Sequence, residues 1–88
     1  MPKVWMSPLL ETFSDGVEFV DVGEGTISQI IDQLDARFPG VKSVLVADGD
    51  IFPGVAVIVN GFDAGYGIFQ KVACNSEIYF LPAIGGGC

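Results

Sequence analysis

The chain has 88 residues, half of them apolar, enough for one small domain with one core and too little for two. Eleven acidic residues against four basic ones give a formal charge of -7, which repels phosphate backbones and anionic lipid surfaces, so neither nucleic acid nor membrane is expected as a partner. Histidine is absent, which removes the commonest general base, the commonest metal ligand and the Ser-His and Cys-His nucleophile pairs; a self-sufficient enzyme and a resident metal are both disfavoured.

Residues 3–6 alternate, Val4 and Met6 on one face and Lys3 and Trp5 on the other, and read as a first strand that Pro8 ends or bulges. The same apolar stretch is too short for a secretory signal, and no apolar run approaches a membrane span. Cys74 and Cys88 do not make a disulfide framework, so the expected home is a reducing cytoplasm. Ser14-Asp15-Gly16 is turn chemistry, and 17–22 reads as a second strand in a hairpin with the first. Its register is open: Val20 and Val22 favour one inward face, Val17 and Phe19 the other.

Between Gly25 and Gly40 the apolar residues Ile27, Ile30, Ile31, Leu34 and Phe38 recur at helical spacing and must face a sheet. Thr26 is placed as N-cap, Gln29 completes a capping box, and Pro39-Gly40 supplies the stop. Asp32 and Asp35 fit an ordinary solvated helix face better than a binding site. Residues 41–50 form a connection, with a short helical turn at Val44, Leu45 and Val46 and an exposed tip at Ala47-Asp48-Gly49-Asp50 that has too few ligands for a calcium loop.

Val55 to Val59 is apolar on both faces and β-branched, as in a well-buried strand, and Asn60-Gly61 after it is a strong hairpin signal. Residues 62–69 read as a bent loop or short edge strand; Gly65-Tyr66-Gly67 has no following helix pattern for a phosphate loop. Cys74, beside the turn at Asn75-Ser76, reads as a small semi-buried hydrophobe. The last strand spans 77–81 with Ile78 and Phe80 inward, leaving Tyr79 and Leu81 outward.

The expected architecture is α+β: a mixed sheet gripping one main helix, the β-grasp or ubiquitin-like fold. It would occupy 1–82, with 83–88 as a flexible glycine-rich tail. That tail is the most telling part of the chain. Glycine lacks a Cβ, so the end can enter a channel too narrow for other residues, and from Pro82 to Gly87 it can reach roughly 17 Å at about 3.3 Å per residue.

Three segments together resemble the bacterial β-grasp sulfur-carrier family: the helix with Leu34-Asp35-Ala36-Arg37-Phe38-Pro39-Gly40, the turn Val57-Ile58-Val59-Asn60-Gly61, and the ending Leu81-Pro82-Ala83-Ile84-Gly85-Gly86-Gly87. That family includes the small subunit of molybdopterin synthase and the carriers of the thiamine and cysteine pathways. The resemblance implies a diglycine at Gly86 and Gly87, with Gly87 adenylated by an ATP-using activating enzyme of the ubiquitin-activating type and converted to a thiocarboxylate. Gly85 would extend the thin arm. It further implies a sulfur-accepting synthase or large subunit as second partner, no cofactor bound by the chain itself, and a non-catalytic role.

Cys88 departs from the family pattern, because the free carboxylate belongs to cysteine rather than glycine. The resemblance implies removal of Cys88, as by a zinc metalloprotease; an addition without a role and a thiol carrying sulfur as a persulfide are the other readings. Phe62, Tyr79, Leu81 and Ile84 are the candidate partner-binding residues. A ubiquitin-like modifier joined to target lysines, and a plain interaction domain with an idle tail, are the competing functions. Which pathway and acceptor the chain serves is not written in its residues.

Overall fold

A computed structural model describes residues 1–61 and 67–82. Strand β1 (Lys3–Trp5) buries Val4 completely and turns Lys3 and Trp5 to the opposite face, as the alternation requires. Pro8 ends the strand by opening a 3-10 turn (Pro8–Leu10), which continues as one helical turn, α1 (Glu11–Ser14), where the sequence pattern led only to a turn. Proline suits the first helical position because its missing N–H is not needed there. Four residues are too few to display a helical period, and Leu10, now fully buried, is what holds the segment down.

Asp15 and Gly16, both at positive φ, reverse the chain into β2 (Phe19–Asp21), antiparallel to β1 with Val20 opposite Val4. The open register is thereby decided. Val20 and Val22 enter the core, whereas Val17 and Phe19 remain exposed.

Strand β3 (Gly25–Thr26) leads straight into α2 (Ile27–Arg37), whose buried stripe is Ile27, Ile30, Ile31 and Leu34. The capping box forms as expected: Gln29 N donates to Thr26 Oγ1 at 3.2 Å, and Thr26 N donates to Gln29 Oε1 at 2.9 Å. Gly25 sits at φ 154°, and a Cβ there would collide with the returning Gln29 Oε1. Beyond the helix, α3 (Val41–Leu45) begins earlier than the expected turn at 44–46. Its start is held by Asp35, whose Oδ1 accepts from Gly40 N and Lys42 N at 3.1 Å each.

A tight hairpin follows, β4 (Val46–Ala47) with β5 (Asp50–Ile51), turned by Asp48 and Gly49 at φ 53° and 79°. The remaining strands are β6 (Val55–Val59), β7 (Lys71–Val72) and β8 (Glu77–Pro82). The main sheet has the order β2-β1-β8-β6, with β1 and β8 parallel and the other neighbours antiparallel. Its inner face meets α2 in one apolar cluster that joins Val4, Val20, Val57, Ile78 and Phe80 to the helix stripe. This is the expected α+β, β-grasp arrangement.

Two expectations are corrected. Asn60 and Gly61 do turn, at φ 53° and 85°, and β6 pairs with β8; the expected hairpin partner after Gly61 lies outside the described residues. Asn60 serves that long-range pairing, donating from its N to Glu77 O and accepting from Glu77 N at its Oδ1, both at 2.9 Å. Consequently β6 lies at the edge of the described sheet, and only Val55, Val57 and Val59 are buried; Ala56 and Ile58 are half-buried. The second correction concerns Cys74, which is exposed: the turn closed by Ser76 N donating to Ala73 O lifts it into solvent.

The two-residue ladder of β3 with β7 is too short to leave a sequence pattern. Residues 62–66 of the expected loop or edge strand lie outside the described residues, while 67–70 form a turn that closes the helix start. There Ile27 N donates to Gln70 O at 2.9 Å and Ser28 N to Ile68 O at 2.7 Å. No helix among the described residues is long and apolar enough to cross a membrane.

Candidate functional site

The candidate site is built around β8, an interior strand of the sheet and the one from which residues 83–88 continue. Because side chains alternate, β8 divides its residues between two tasks. Ile78 and Phe80 are fully buried against α2, and Glu77, Tyr79 and Leu81 face outward. Tyr79 and Leu81 are therefore on one face, as expected, and each is half-buried. Phe62, Ile84, Gly85, Gly86, Gly87 and Cys88 lie outside the described residues.

Strand pairing sets Phe19, Trp5, Tyr79 and Ile58 in one row across all four strands of this outer face. Trp5 stacks on Tyr79 with ring centroids 6.1 Å apart and planes 7° from parallel, and meets Phe19 at 5.2 Å and 50°. The indole N–H is satisfied by Glu77 Oε1 at 3.0 Å, and Lys3 Nζ lies 4.2 Å from the Phe19 ring centroid. On the side away from the chain's end, Asp21, Lys3 and Glu77 form a charged row; on the near side Leu81 opposes Ala56. The face thus grades from charged to apolar toward the root of the glycine tail.

Trp5, Phe19 and Ile58 complete a surface of which sequence reasoning found only Tyr79 and Leu81. For Trp5 the signal was present, since it alternates outward from buried Val4. For Phe19 the register was needed, and for Ile58 the edge position of β6. Chemically the row can bind and orient a partner, because flat aromatic surface with few unmet polar groups is cheap to desolvate.

The root of the tail is fastened from below. Ser7, buried just after β1, donates its hydroxyl to the carbonyl of Phe80. That bond joins the 3-10 turn to β8 two residues before the strand ends, and no sequence pattern signals it.

The other acidic candidates have structural work. Asp32 pairs with Lys42 at 2.9 Å, and this hydrogen bond, reinforced by the carboxylate's charge, holds the Lys42 ammonium above the usual lysine range; Asp35 fastens the start of α3. Among the described residues no three of His, Cys, Asp and Glu gather to hold a metal ion.

No protein-family model matches the chain, and no curated protein sequence matches it significantly. Solved structures do. A chain of the Amycolatopsis orientalis BexX/CysO complex superposes with a TM-score of 0.87 at 28% identity, over 99% of this chain and all (100%) of that one. Mycobacterium tuberculosis CysO, described as an antigen, matches at a TM-score of 0.85 and 22% identity, covering 96% of this chain and 100% of that one, and shows the fold. SAMP1 of Haloferax volcanii, also named small archaeal modifier protein 1, matches at a TM-score of 0.70 and 25% identity over 98% of each chain. These neighbours are β-grasp proteins of the sulfur-carrier and ubiquitin-like modifier kind, and the resemblance drawn from the sequence agrees with them.

Proposed function

We propose that this chain is a sulfur carrier that works through Gly87. Removal of Cys88, for which a metalloprotease is the candidate, frees the Gly87 carboxylate; a partner activating enzyme then joins it to AMP from ATP, releasing pyrophosphate. A carboxylate is a poor electrophile, and the acyl-adenylate supplies the leaving group that lets a sulfur nucleophile attack the carbonyl and expel AMP. The resulting thiocarboxylate donates its sulfur to a cofactor or metabolite precursor held by an accepting synthase, as the small subunit of molybdopterin synthase does. The chain is the co-substrate, and ATP and the catalytic groups belong to its partners.

The observation that carries this reading is the course of β8, from the middle of the sheet into Pro82 and then directly into the sequence that ends Gly85-Gly86-Gly87-Cys88. The likeness along the whole chain to a member of the BexX/CysO complex supports it, and so does that protein's association with another. The likeness to SAMP1 favours a second reading, in which the activated glycine is joined to lysine amines of target proteins.

Incubating the intact chain, and a chain ending at Gly87, with an activating enzyme of this type, ATP and a sulfide source tests the proposal by intact mass. Only the shorter chain should exchange one oxygen for sulfur. Charging with Cys88 still attached ends the processing step, and lysine conjugates in place of a sulfurated small molecule favour the modifier. The outer face has its own test in Leu81→Asp. Leu81 is half-buried and outside the core, so the fold should persist while affinity for the activating enzyme falls by about tenfold or more; unchanged binding removes this face from the docking surface.

A further inference from the structure

The edge of β2 remote from β1 carries a feature that the tail chemistry does not use. Met6 N donates to Glu18 O and Val22 N to Pro2 O, each at 2.9 Å, so Glu18, Val20 and Val22 direct their backbone groups at the first strand. By the alternation of an antiparallel ladder, the N–H and C=O of Phe19 and Asp21 then point away from the sheet. Among the described residues no strand takes that edge.

Beside it runs an open groove of about 580 Å³ between β2 and the end of α2, lined by Val17, Phe19, Val20, Asp21, Arg37 and Phe38. Val17 and Phe19 are 41% and 37% exposed, and Phe38 is half-buried. Arg37 Nη1 approaches Asp21 O at 3.5 Å, the long limit of a hydrogen bond, and among the described residues its guanidinium has no carboxylate partner. The Asp21 side chain belongs to the outer face with its register partner Lys3. The helix side of the groove is therefore apolar and locally positive, on a chain whose net charge is -7.

We propose that this edge accepts an extended segment of a partner protein as an added strand, its inward side chains apolar against Val20 and Phe38 and one carboxylate set against Arg37. Main-chain hydrogen bonds to Phe19 and Asp21 supply affinity independent of sequence, and the groove supplies the selection. A second copy of the chain fits poorly, because edge-to-edge pairing would join two bodies of charge -7, each with Asp21 on the joining strand and Glu18 just before it. The surface is separate from the glycine tail, so it stands or falls independently of the sulfur-carrier reading.

Amide hydrogen exchange of the full chain, followed by NMR, tests the proposal with three capped octapeptides of alternating Val and Thr. One carries Asp at a central inward position, one Lys there, and one a central Pro. Without peptide, the Phe19 and Asp21 amides should exchange fast and that of Val20 slowly. The Asp peptide should slow Phe19 and Asp21 by about tenfold or more, the Lys peptide should bind about tenfold more weakly, and the Pro peptide should not protect them. Arg37→Glu should reverse the preference between Asp and Lys; Arg37→Gln, milder for the helix end, should abolish it. Absence of protection at Phe19 and Asp21 with the Asp peptide overturns the proposal. So do equal affinities for Asp and Lys, or protection that rises with protein concentration alone, which assigns the edge to a second copy.

Discussion

Replacing Gly87 by valine in the chain lacking Cys88 is expected to lower the rate of sulfur loading by about 100-fold or more, with no change in fold. The proposed reaction would need the terminal carbonyl in line with ATP and then with the sulfur nucleophile. A misplacement near 1 Å is enough to cost about two orders of magnitude. On that proposal, a branched side chain would force such a displacement in a partner channel that admits only glycine, and it removes backbone conformations that only glycine reaches. Stability should not follow, because Gly87 has no side chain to add to the apolar cluster, which among the described residues runs from Val4 to Phe80. The thermal midpoint should stay within what a surface substitution does, about 0.5 kcal/mol. Intact mass after loading and a melting curve on the same sample give both readouts. Undiminished loading would place the reactive group elsewhere, and a fall in both together would make the tail part of the fold.

Phe80→Ala is expected to show the opposite pattern, a collapse of stability that carries activity down with it. Phe80 is the largest fully buried side chain among the described residues, opposite Val57 on β6, with its carbonyl held by Ser7. Truncating a buried phenylalanine costs about 3–5 kcal/mol in lost transfer energy and cavity formation. Set against the 5–15 kcal/mol that holds a small domain together, that loss removes about a fifth of the stability or more. The urea midpoint should fall by about a fifth or more, with the thermal midpoint lower by roughly 15–30 °C. Ile58→Ala, on the half-buried outer face of the neighbouring strand, should cost no more than about 1 kcal/mol. If the two variants melt alike, the sheet does not divide into a core face and a docking face as described.

Those two experiments separate the roles that β8 combines. Its even-numbered residues Ile78 and Phe80 anchor the sheet to α2, its odd-numbered residues Tyr79 and Leu81 face outward, and its end leads to the glycines. A partner that docks on the outer face therefore addresses the strand from which the tail departs. The charged row of Asp21, Lys3 and Glu77 lies at the far end of that face, where it can set orientation without obstructing the tail.

The helix Ile27–Arg37 and its capping box were legible residue by residue, because each contact that defines them lies within four positions along the chain. The inward pair Ile78 and Phe80 followed from period-two alternation, and the β-grasp arrangement from the order of elements. Which strand partners which is a different kind of information. Asn60-Gly61 signals a local turn, but nothing in it announces that β6 also pairs with the distant β8, where Val57 is buried opposite Phe80. The face chosen by β2 was undecided while valines and a phenylalanine stood on both sides, and pairing with Val4 above α2 decided it.

Asp35 at the start of α3, Ser7 on the Phe80 carbonyl, the row from Phe19 to Ile58 and the groove beside Arg37 all depend on residues far apart in the chain, or on turns too short to carry a period. Residue identities alone therefore determined the helix, the core faces of the central strands β1 and β8 and the glycine ending. Only burial in three dimensions could decide strand partners, the aromatic row of the outer face and the open edge of β2 among the described residues, because no residue's immediate neighbours record which distant surface will exclude water from it.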